Sequence, residues 1–202
     1  MKDRAWIKYF IITAIPIIIL ISMTITPLKA MLYGQEILLQ TNPVDPTDAF
    51  RGDYVALSYK IDNVAIEKFP QEIQNTKSMQ QGPEGYPESV YYDFSSIKNK
   101  QMYAVLKPAG QFYEVDKITF ERPRNGIYLK CNLDSNYYSP YGLESNKTIP
   151  VNYGLDKFFV PEKTGTQLQE ASRQGQLVAK VKVYQGYALL ENILEGSQII
   201  SK

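Results

Sequence analysis

The sequence contains no histidine and a single cysteine, and these two shortages exclude most familiar catalytic and metal-binding arrangements. Histidine is the commonest general base and metal ligand, so Ser-His-Asp triads, Cys-His pairs and histidine metal sites are excluded. Cys131 has no second cysteine with which to form an internal disulfide. Its place in the stretch GIYLKCNL favours a small buried strand residue, with a reactive thiol as the alternative interpretation.

The charges show no strong excess of either sign, with 22 Lys+Arg against 21 Asp+Glu. A nucleic-acid-binding chain usually shows a clear basic surplus, so nucleic acid is excluded as a partner. The chain also lacks the calcium-loop pattern, the glycine-rich phosphate loop and the dinucleotide fingerprint. We therefore predict that the protein binds no cofactor and no metal.

One long run without charge stands near the start of the chain, at Tyr9–Leu28. Its 20 residues match the length of helix needed to cross a hydrocarbon core of about 30 Å. The basic residues Lys2, Arg4 and Lys8 precede it, which by the positive-inside rule predicts a cytoplasmic N-terminus.

We therefore expect a single-pass protein of the cell membrane. Residues 1–30 would form a cytoplasmic N-terminus and transmembrane anchor, and residues 31–202 an extracytoplasmic domain. A cleaved signal peptide and a buried core helix are the alternatives. The run is longer than the apolar part of a signal peptide, and Leu28 rather than a small residue stands two before Ala30. Both observations favour the uncleaved anchor.

Strand patterns follow the anchor at hairpin spacing. The middle three are joined by short links, the second of them containing Asn125-Gly126, which predicts an antiparallel meander. One short amphipathic helix is expected at Glu162–Gly175, and a long surface loop at Phe69–Ser89. The predicted fold class is mainly β, an antiparallel sandwich or barrel-like domain of five to eight strands preceded by a single N-terminal transmembrane helix. The strand segments are Gly34–Asn42, Tyr54–Tyr59, Gln101–Pro108, Phe112–Phe120, Gly126–Leu133, Leu177–Tyr184 and Tyr187–Leu194.

The stretch GDYVALSY, from Gly52 to Tyr59, fills the pattern after which the GDYXXLXY family is named, and the chain resembles that family. The approach PVDP beginning at Pro43 is similar to the family's, with Thr47 where an arginine is usual. RPRNGIYLKCNL resembles a later family segment, with Lys130-Cys131 replacing part of it. VNYGLDKFFVPEKTGTQLQEA, from Val151 to Ala171, resembles the family's Tyr-Gly-Leu and Phe-Val-Pro-Glu signatures.

The resemblance implies a bacterial, membrane-anchored protein, and it implies architecture more than a reaction. Some members accompany polytopic membrane proteins, so such a protein is an implied partner. The family-motif residues carried onto this chain are Asp45, Arg51, Gly52, Asp53, Tyr54, Leu57, Tyr59, Tyr153, Gly154, Phe159, Pro161 and Glu162.

Arg51-Gly52-Asp53 permits two other interpretations. An integrin-type tripeptide arises often by chance, and a structural corner after the prolines explains Gly52 and Asp53 better. Arg-Gly-Asp before an apolar strand also resembles a box of the type I signal peptidases, which use a serine nucleophile and a lysine base. In this chain Ser78-Met79 follows the strand instead of preceding it.

The sequence thus favours a membrane-anchored extracytoplasmic binding or scaffold module that engages a membrane or envelope partner and is not an enzyme. A signal-peptidase-like Ser/Lys hydrolase, or a degenerate relative of that fold, is the alternative. The 16 tyrosines, clustered at Val90–Phe94 and Ser135–Gly142, suit either strand packing or a ligand platform.

Overall fold

The computed structural model describes residues 3–43, 54–80, 89–92, 100–133, 148–159 and 177–195. Twelve β-strands and two α-helices lie within these ranges. The predicted helix at Glu162–Gly175 and the tyrosine cluster at Ser135–Gly142 fall outside the described residues.

Helix α1, Asp3–Tyr33, contains the uncharged run Tyr9–Leu28 and extends beyond that run at both ends. At 1.5 Å per residue its 31 residues extend about 46 Å. Its stretch Lys8–Tyr33 is long and apolar enough to span a membrane, and the protein buries none of that stretch's most apolar part. Trp6 stands near its start and Tyr33 at its end, 75% and 74% exposed.

The strands form a mostly antiparallel, nearly closed, barrel-like sheet, which confirms the predicted class. One part has the order β1–β11–β12 and the other the order β3–β9–β8–β6–β7. β1 lies beside β7, and β12 lies beside β8, so the two parts close on each other. The bounds are β1 Gln35–Gln40, β2 Tyr54–Ala56, β3 Asn63–Ala65, β4 Lys77–Gln80, β5 Ser89–Tyr92, β6 Met102–Ala109, β7 Phe112–Thr119, β8 Ile127–Leu133, β9 Thr148–Asn152, β10 Lys157–Phe159, β11 Leu177–Tyr184 and β12 Tyr187–Glu195.

The barrel is filled by the alternate side chains of its strands, as the period of two requires. Met102, Ala104 and Leu106 of β6 face the core, as do Val181 and Val183 of β11. The partner strands β7 and β12 each carry one extra residue, Asp116 and Glu191, opposite Val105–Leu106 and Lys180–Val181. Such bulges bend the strand that contains them, which is how sheets curve toward closure. The core also contains Ile37, Leu39, Leu129, Cys131, Ile149 and Leu177.

Two short connections constrain the barrel: one joins it to α1, and the other joins its last two strands. A single residue, Gly34, separates α1 from β1. The turn Gln185-Gly186 joins β11 to β12, with positive φ at both positions (51° and 83°), as a type I′ hairpin requires. The amide of Lys130 donates a hydrogen bond of 2.8 Å to the Gly186 carbonyl, which fastens this hairpin to β8.

Three parts of the predicted topology were wrong. β8 pairs with β6, not with β7. Residues 120–126 pass from one side of β6 to the other, instead of forming a hairpin turn at Asn125-Gly126 that would place β8 next to β7. The expected loop at Phe69–Ser89 contains a helical turn, α2 (Gln71–Gln74), and strand β4 paired with β5. The strands of the described residues outnumber the five to eight expected, because five of them have only three or four residues, too few to show a period.

Candidate binding cleft around the motif tyrosines

The fold brings together two of the family segments, the motif stretch that ends at Tyr59 and the signature that begins at Val151, although they are far apart in the chain. β2 pairs with β10 so that Tyr54 lies opposite Phe159. The pairing continues beyond the strands, because the Leu57 amide donates a hydrogen bond of 2.9 Å to the Asp156 carbonyl. The motif stretch and the later signature therefore form one structural unit.

Each of two tyrosines donates a hydrogen bond to a backbone carbonyl that lies two residues from the other tyrosine in the chain. The hydroxyl of Tyr59 donates to the Leu155 carbonyl at 2.8 Å, and the hydroxyl of Tyr153 donates to the Ile61 carbonyl at 2.8 Å. Tyr59 is 1% exposed, and burial raises its pKa far above the usual phenol value. Desolvation also raises the pKa of Tyr153 strongly. We call this arrangement the tyrosine exchange.

The first of these segments is also tied to the end of β1. The Asn42 amide donates to the Ser58 carbonyl at 2.8 Å, and its side-chain nitrogen donates to the Tyr59 carbonyl at 2.9 Å. The hydroxyl of Thr41, itself 3% exposed, donates to the Leu177 carbonyl at 2.7 Å. Neutral donors therefore satisfy the backbone at this end of the barrel, without any ion pair in these contacts.

One carboxylate, that of Asp62, is built into the unit. Its Oδ2 accepts a hydrogen bond of 2.7 Å from the Tyr59 amide, and it also accepts one from Ser58. Burial raises its pKa to about 6, and the nearby charge of Asp156 adds to the rise, while the hydrogen bonds to Tyr59 and Ser58 oppose it. Asp62 therefore changes charge close to neutral pH.

A cleft of about 260 Å³ opens beside the tyrosine exchange. Its floor is apolar and buried, whereas its rim carries the carboxylates of Asp62 and Asp156 and the side-chain amides of Asn63 and Asn152. We call this part of the barrel the cleft end. The lining residues are Leu57, Ser58, Tyr59, Asp62, Asn63, Pro150, Val151, Asn152, Tyr153, Leu155 and Asp156.

Gly154 turns the chain at the edge of this cleft. Its φ of 71° lies in the left-handed region, which favours glycine. Its amide donates a hydrogen bond of 2.6 Å to Oδ1 of Asn152. This turn aims Tyr153 inward and leaves Asn152 on the rim.

The structure brings together six of the predicted motif residues, namely Tyr54, Leu57, Tyr59, Tyr153, Gly154 and Phe159. Asp45, Arg51, Gly52, Asp53, Pro161 and Glu162 lie outside the described residues. Sequence reasoning missed Asp62, Asp156 and Asn42. For Asp62 a signal existed, since an acidic residue three positions after Tyr59 suits a local side-chain to backbone hydrogen bond.

The cleft's donor set contains two carboxylates and neutral oxygens. Within the described ranges, no three His, Cys, Asp or Glu side chains come together in a way that would hold a metal ion.

Comparison with known proteins agrees with the motif geometry. A family model, that of the GDYXXLXY protein, matches residues 16–193. The chain belongs to the GDYXXLXY family. The match runs from within α1 to β12, so it includes the second half of the apolar helix together with the barrel. Curated proteins and solved structures gave no match to the chain.

Proposed function

We propose that this GDYXXLXY protein is a single-pass, membrane-anchored binding or scaffold module whose barrel lies outside the cytoplasm. The support is the exposed apolar helix, preceded by Lys2, Arg4 and Lys8 and flanked by the aromatic residues Trp6 and Tyr33. Aromatic side chains at both ends of a span and basic residues on one side are typical of an anchor with a cytoplasmic N-terminus.

The cleft end is the surface through which we propose that the module binds. The cleft lies at the end of β1 that points away from α1, because Thr41, which follows β1, bridges to Tyr59. Its rim offers acceptors from Asp62 and Asp156 above a backbone held by the tyrosine exchange. This chemistry suits a basic or donor-rich segment of a membrane or envelope protein.

The hydrolase alternative has less support. It requires a lysine base whose ammonium is desolvated, but Lys60 is exposed. Ser78 lies in β4, paired with Tyr91 of β5. Hydrolysis by the purified full-length protein that disappears in both Ser78→Ala and Lys60→Ala would favour this alternative over binding.

Site-specific cross-linking in native membranes tests the binding proposal. A photoreactive amino acid replaces the exposed Asp156 on the cleft rim in one variant, and the exposed Glu114 of β7 in a matched control. We expect a discrete cross-linked species from position 156 that is absent from position 114. Identical patterns from the two positions, or no product at position 156, would contradict binding through this cleft.

A further inference from the structure

The opposite end of the barrel is built around the last turn of α1. Ala30 is fully buried against the barrel, and Nζ of Lys182 donates a hydrogen bond of 3.0 Å to the Met31 carbonyl. A cavity of about 220 Å³ joins Tyr33 to the hairpin Tyr184–Gly186 and to the start of β8. We call this region, the last turn of α1 with residues 126–128 and 183–187, the junction end.

The position of Tyr33 sets the height of the junction end relative to a bilayer. The uncharged run of α1 ends at Leu28, five residues before Tyr33, which is about 7.5 Å along a helix. A headgroup layer is about 5–8 Å thick on each side of the hydrocarbon core. In the proposed anchoring, a helix that crosses the bilayer along its normal would place Tyr33 and the groups that share its cavity at headgroup level.

The side chains of the junction end are of the kinds that favour the headgroup region of a membrane. Tyr33, Tyr184 and Tyr187 surround the hairpin tip, and tyrosine favours the membrane–water interface because its ring is apolar and its hydroxyl is polar. Arg122 is exposed, and its Nε donates a hydrogen bond of 2.7 Å to the hydroxyl of Tyr128, which lines the same cavity. A guanidinium held in this way presents its remaining donors in a planar fork that suits phosphate oxygens.

We propose that the junction end is a membrane-contact surface, in which the hairpin tip Tyr184–Tyr187 rests among lipid headgroups and Arg122 binds an anionic headgroup phosphate. The inference rests on the anchoring part of the proposed function and adds a second, lipid-facing surface to it. The tight turn at Gly186 supports the assignment. A Cβ there would lie 2.7 Å from the Tyr128 ring, so the tip and the residue that holds Arg122 are packed as one piece.

Two labelled variants of the full-length protein in lipid nanodiscs test the contact. A fluorophore is attached at Gln185→Cys on the tip and, as a matched control, at Lys60→Cys at the cleft end; both native side chains are exposed. Wild-type protein gives the labelling background, because Cys131 is buried. We expect headgroup-attached nitroxide lipids to quench position 185 at least about twice as strongly as position 60, since six residues of strand β1, about 20 Å, separate the two ends. Equal quenching at the two positions would overturn the proposal.

The charge part is tested by comparing nanodiscs of phosphatidylcholine with nanodiscs containing phosphatidylglycerol. A basic residue near an anionic surface changes occupancy roughly fivefold, so the anionic lipid should raise quenching at position 185 and Arg122→Gln should remove the rise. Lys60→Gln, with the same change of charge, should leave it intact. A rise that survives Arg122→Gln would overturn the assignment of Arg122.

The two proposals fail separately. If α1 is not an anchor, carbonate extracts the full-length chain from membranes, and this result overturns the anchoring and the membrane contact together. If only the junction end is wrongly assigned, cross-linking from position 156 persists while quenching at position 185 does not exceed that at position 60.

Discussion

The cleft end and the junction end are stabilised by different kinds of contact. At the cleft end, buried neutral groups bond to the backbone, as Tyr59 does to Leu155 and Thr41 does to Leu177. Beside the junction end, on β11 and β12, Lys182 and Lys180 form solvent-accessible ion pairs with Glu191, at 3.0 and 3.3 Å. Removing a partner from a buried hydrogen bond leaves a desolvated group, whereas an exposed ion pair contributes little.

The comparison shows where stability and adaptability lie. The cleft end keeps its shape because its polar groups have no other partner available when water is excluded. The junction end keeps its shape through close packing at Gly34 and Ala30, and its charged groups remain in solvent. The order of expected mutational effects follows from this difference.

The largest effect is expected for Tyr59→Ala, which removes a fully buried aromatic ring together with one half of the tyrosine exchange. Large-to-small changes of this kind cost about 3–5 kcal/mol of unfolding free energy. Tyr59→Phe, which removes only the hydroxyl and leaves the Leu155 carbonyl unpaired, should cost about 1–3 kcal/mol. Thermal or urea unfolding of the full-length chain in detergent, followed by circular dichroism, measures both. A fully tolerated Tyr59→Ala would show that the exchange does not stabilise the cleft end.

Gly34→Ala should have the next largest effect, and it acts at the junction end. A Cβ at this position would overlap the Ala30 carbonyl oxygen and lie 3.1 Å from the Lys182 Cβ. Because backbone cannot yield cheaply, we expect a loss of about 3 kcal/mol, at the upper end of overpacking costs. Gly110→Ala is the control, since its Cβ meets nothing within 4 Å and only its φ of 65° is unfavourable. Equal losses in the two variants would contradict close packing at the junction.

The third prediction concerns pH and Asp62. Its pKa in the folded protein is about 6, whereas an aspartate in an unfolded chain titrates near about 4. The folded state therefore holds more protons between these values, so this group makes the protein less stable as the pH rises from about 4 to 6, and the loss is complete above that window.

Asp62→Asn should remove this pH dependence and raise stability at pH 7 relative to wild type. Since the side chain is only half-buried, we expect a difference of about 2 kcal/mol between the two stability curves across the window. Melting temperatures of the full-length proteins at pH 4, 5, 6 and 7 measure it. Asp116→Asn, at an exposed residue, is the control; parallel curves for wild type and Asp62→Asn would contradict the burial of this carboxylate.

The smallest effect is expected for Glu191→Gln. The two lysines lower the pKa of Glu191, but the pairs are largely exposed and screened by salt. We expect a loss below about 1 kcal/mol, and a smaller loss at 1 M salt than at low salt. A loss as large as that of Tyr59→Phe would remove the distinction between the two ends.

The sequence predicted the long strands because their alternation is visible within each strand. The predicted strand Leu177–Tyr184 has the same bounds as β11, and the predicted bounds of β6, β7 and β8 agree with the structure to within one residue. β3 and β10 have three residues each, and β9 contains Pro150, so neither period nor composition marks them. The order of the strands also escaped prediction, because the position of β8 beside β6 depends on closure of the whole barrel.

The cleft could be predicted only in part. The motif named Leu57, Tyr59 and Tyr153 but not their partners, because Tyr59 bonds to a carbonyl 96 residues away. Any residue can accept a hydrogen bond through its backbone carbonyl, so the side chain of Leu155 does not indicate that its carbonyl accepts one from Tyr59. The position of Asp62 three residues after Tyr59 could have predicted its hydrogen bond to the backbone. The burial that raises its pKa could not have been predicted, because it depends on the folded barrel.

The single residue between α1 and β1 has a consequence for the distance at which the proposed module works. With only Gly34 as a link, the barrel has no tether that would let it search outward from its anchor. The length of β1, six residues, sets the distance between the cleft and the end of the helix at about 20 Å. Under the proposed anchoring and binding, a partner that enters the cleft would have to bring its binding segment to that fixed height above the lipid.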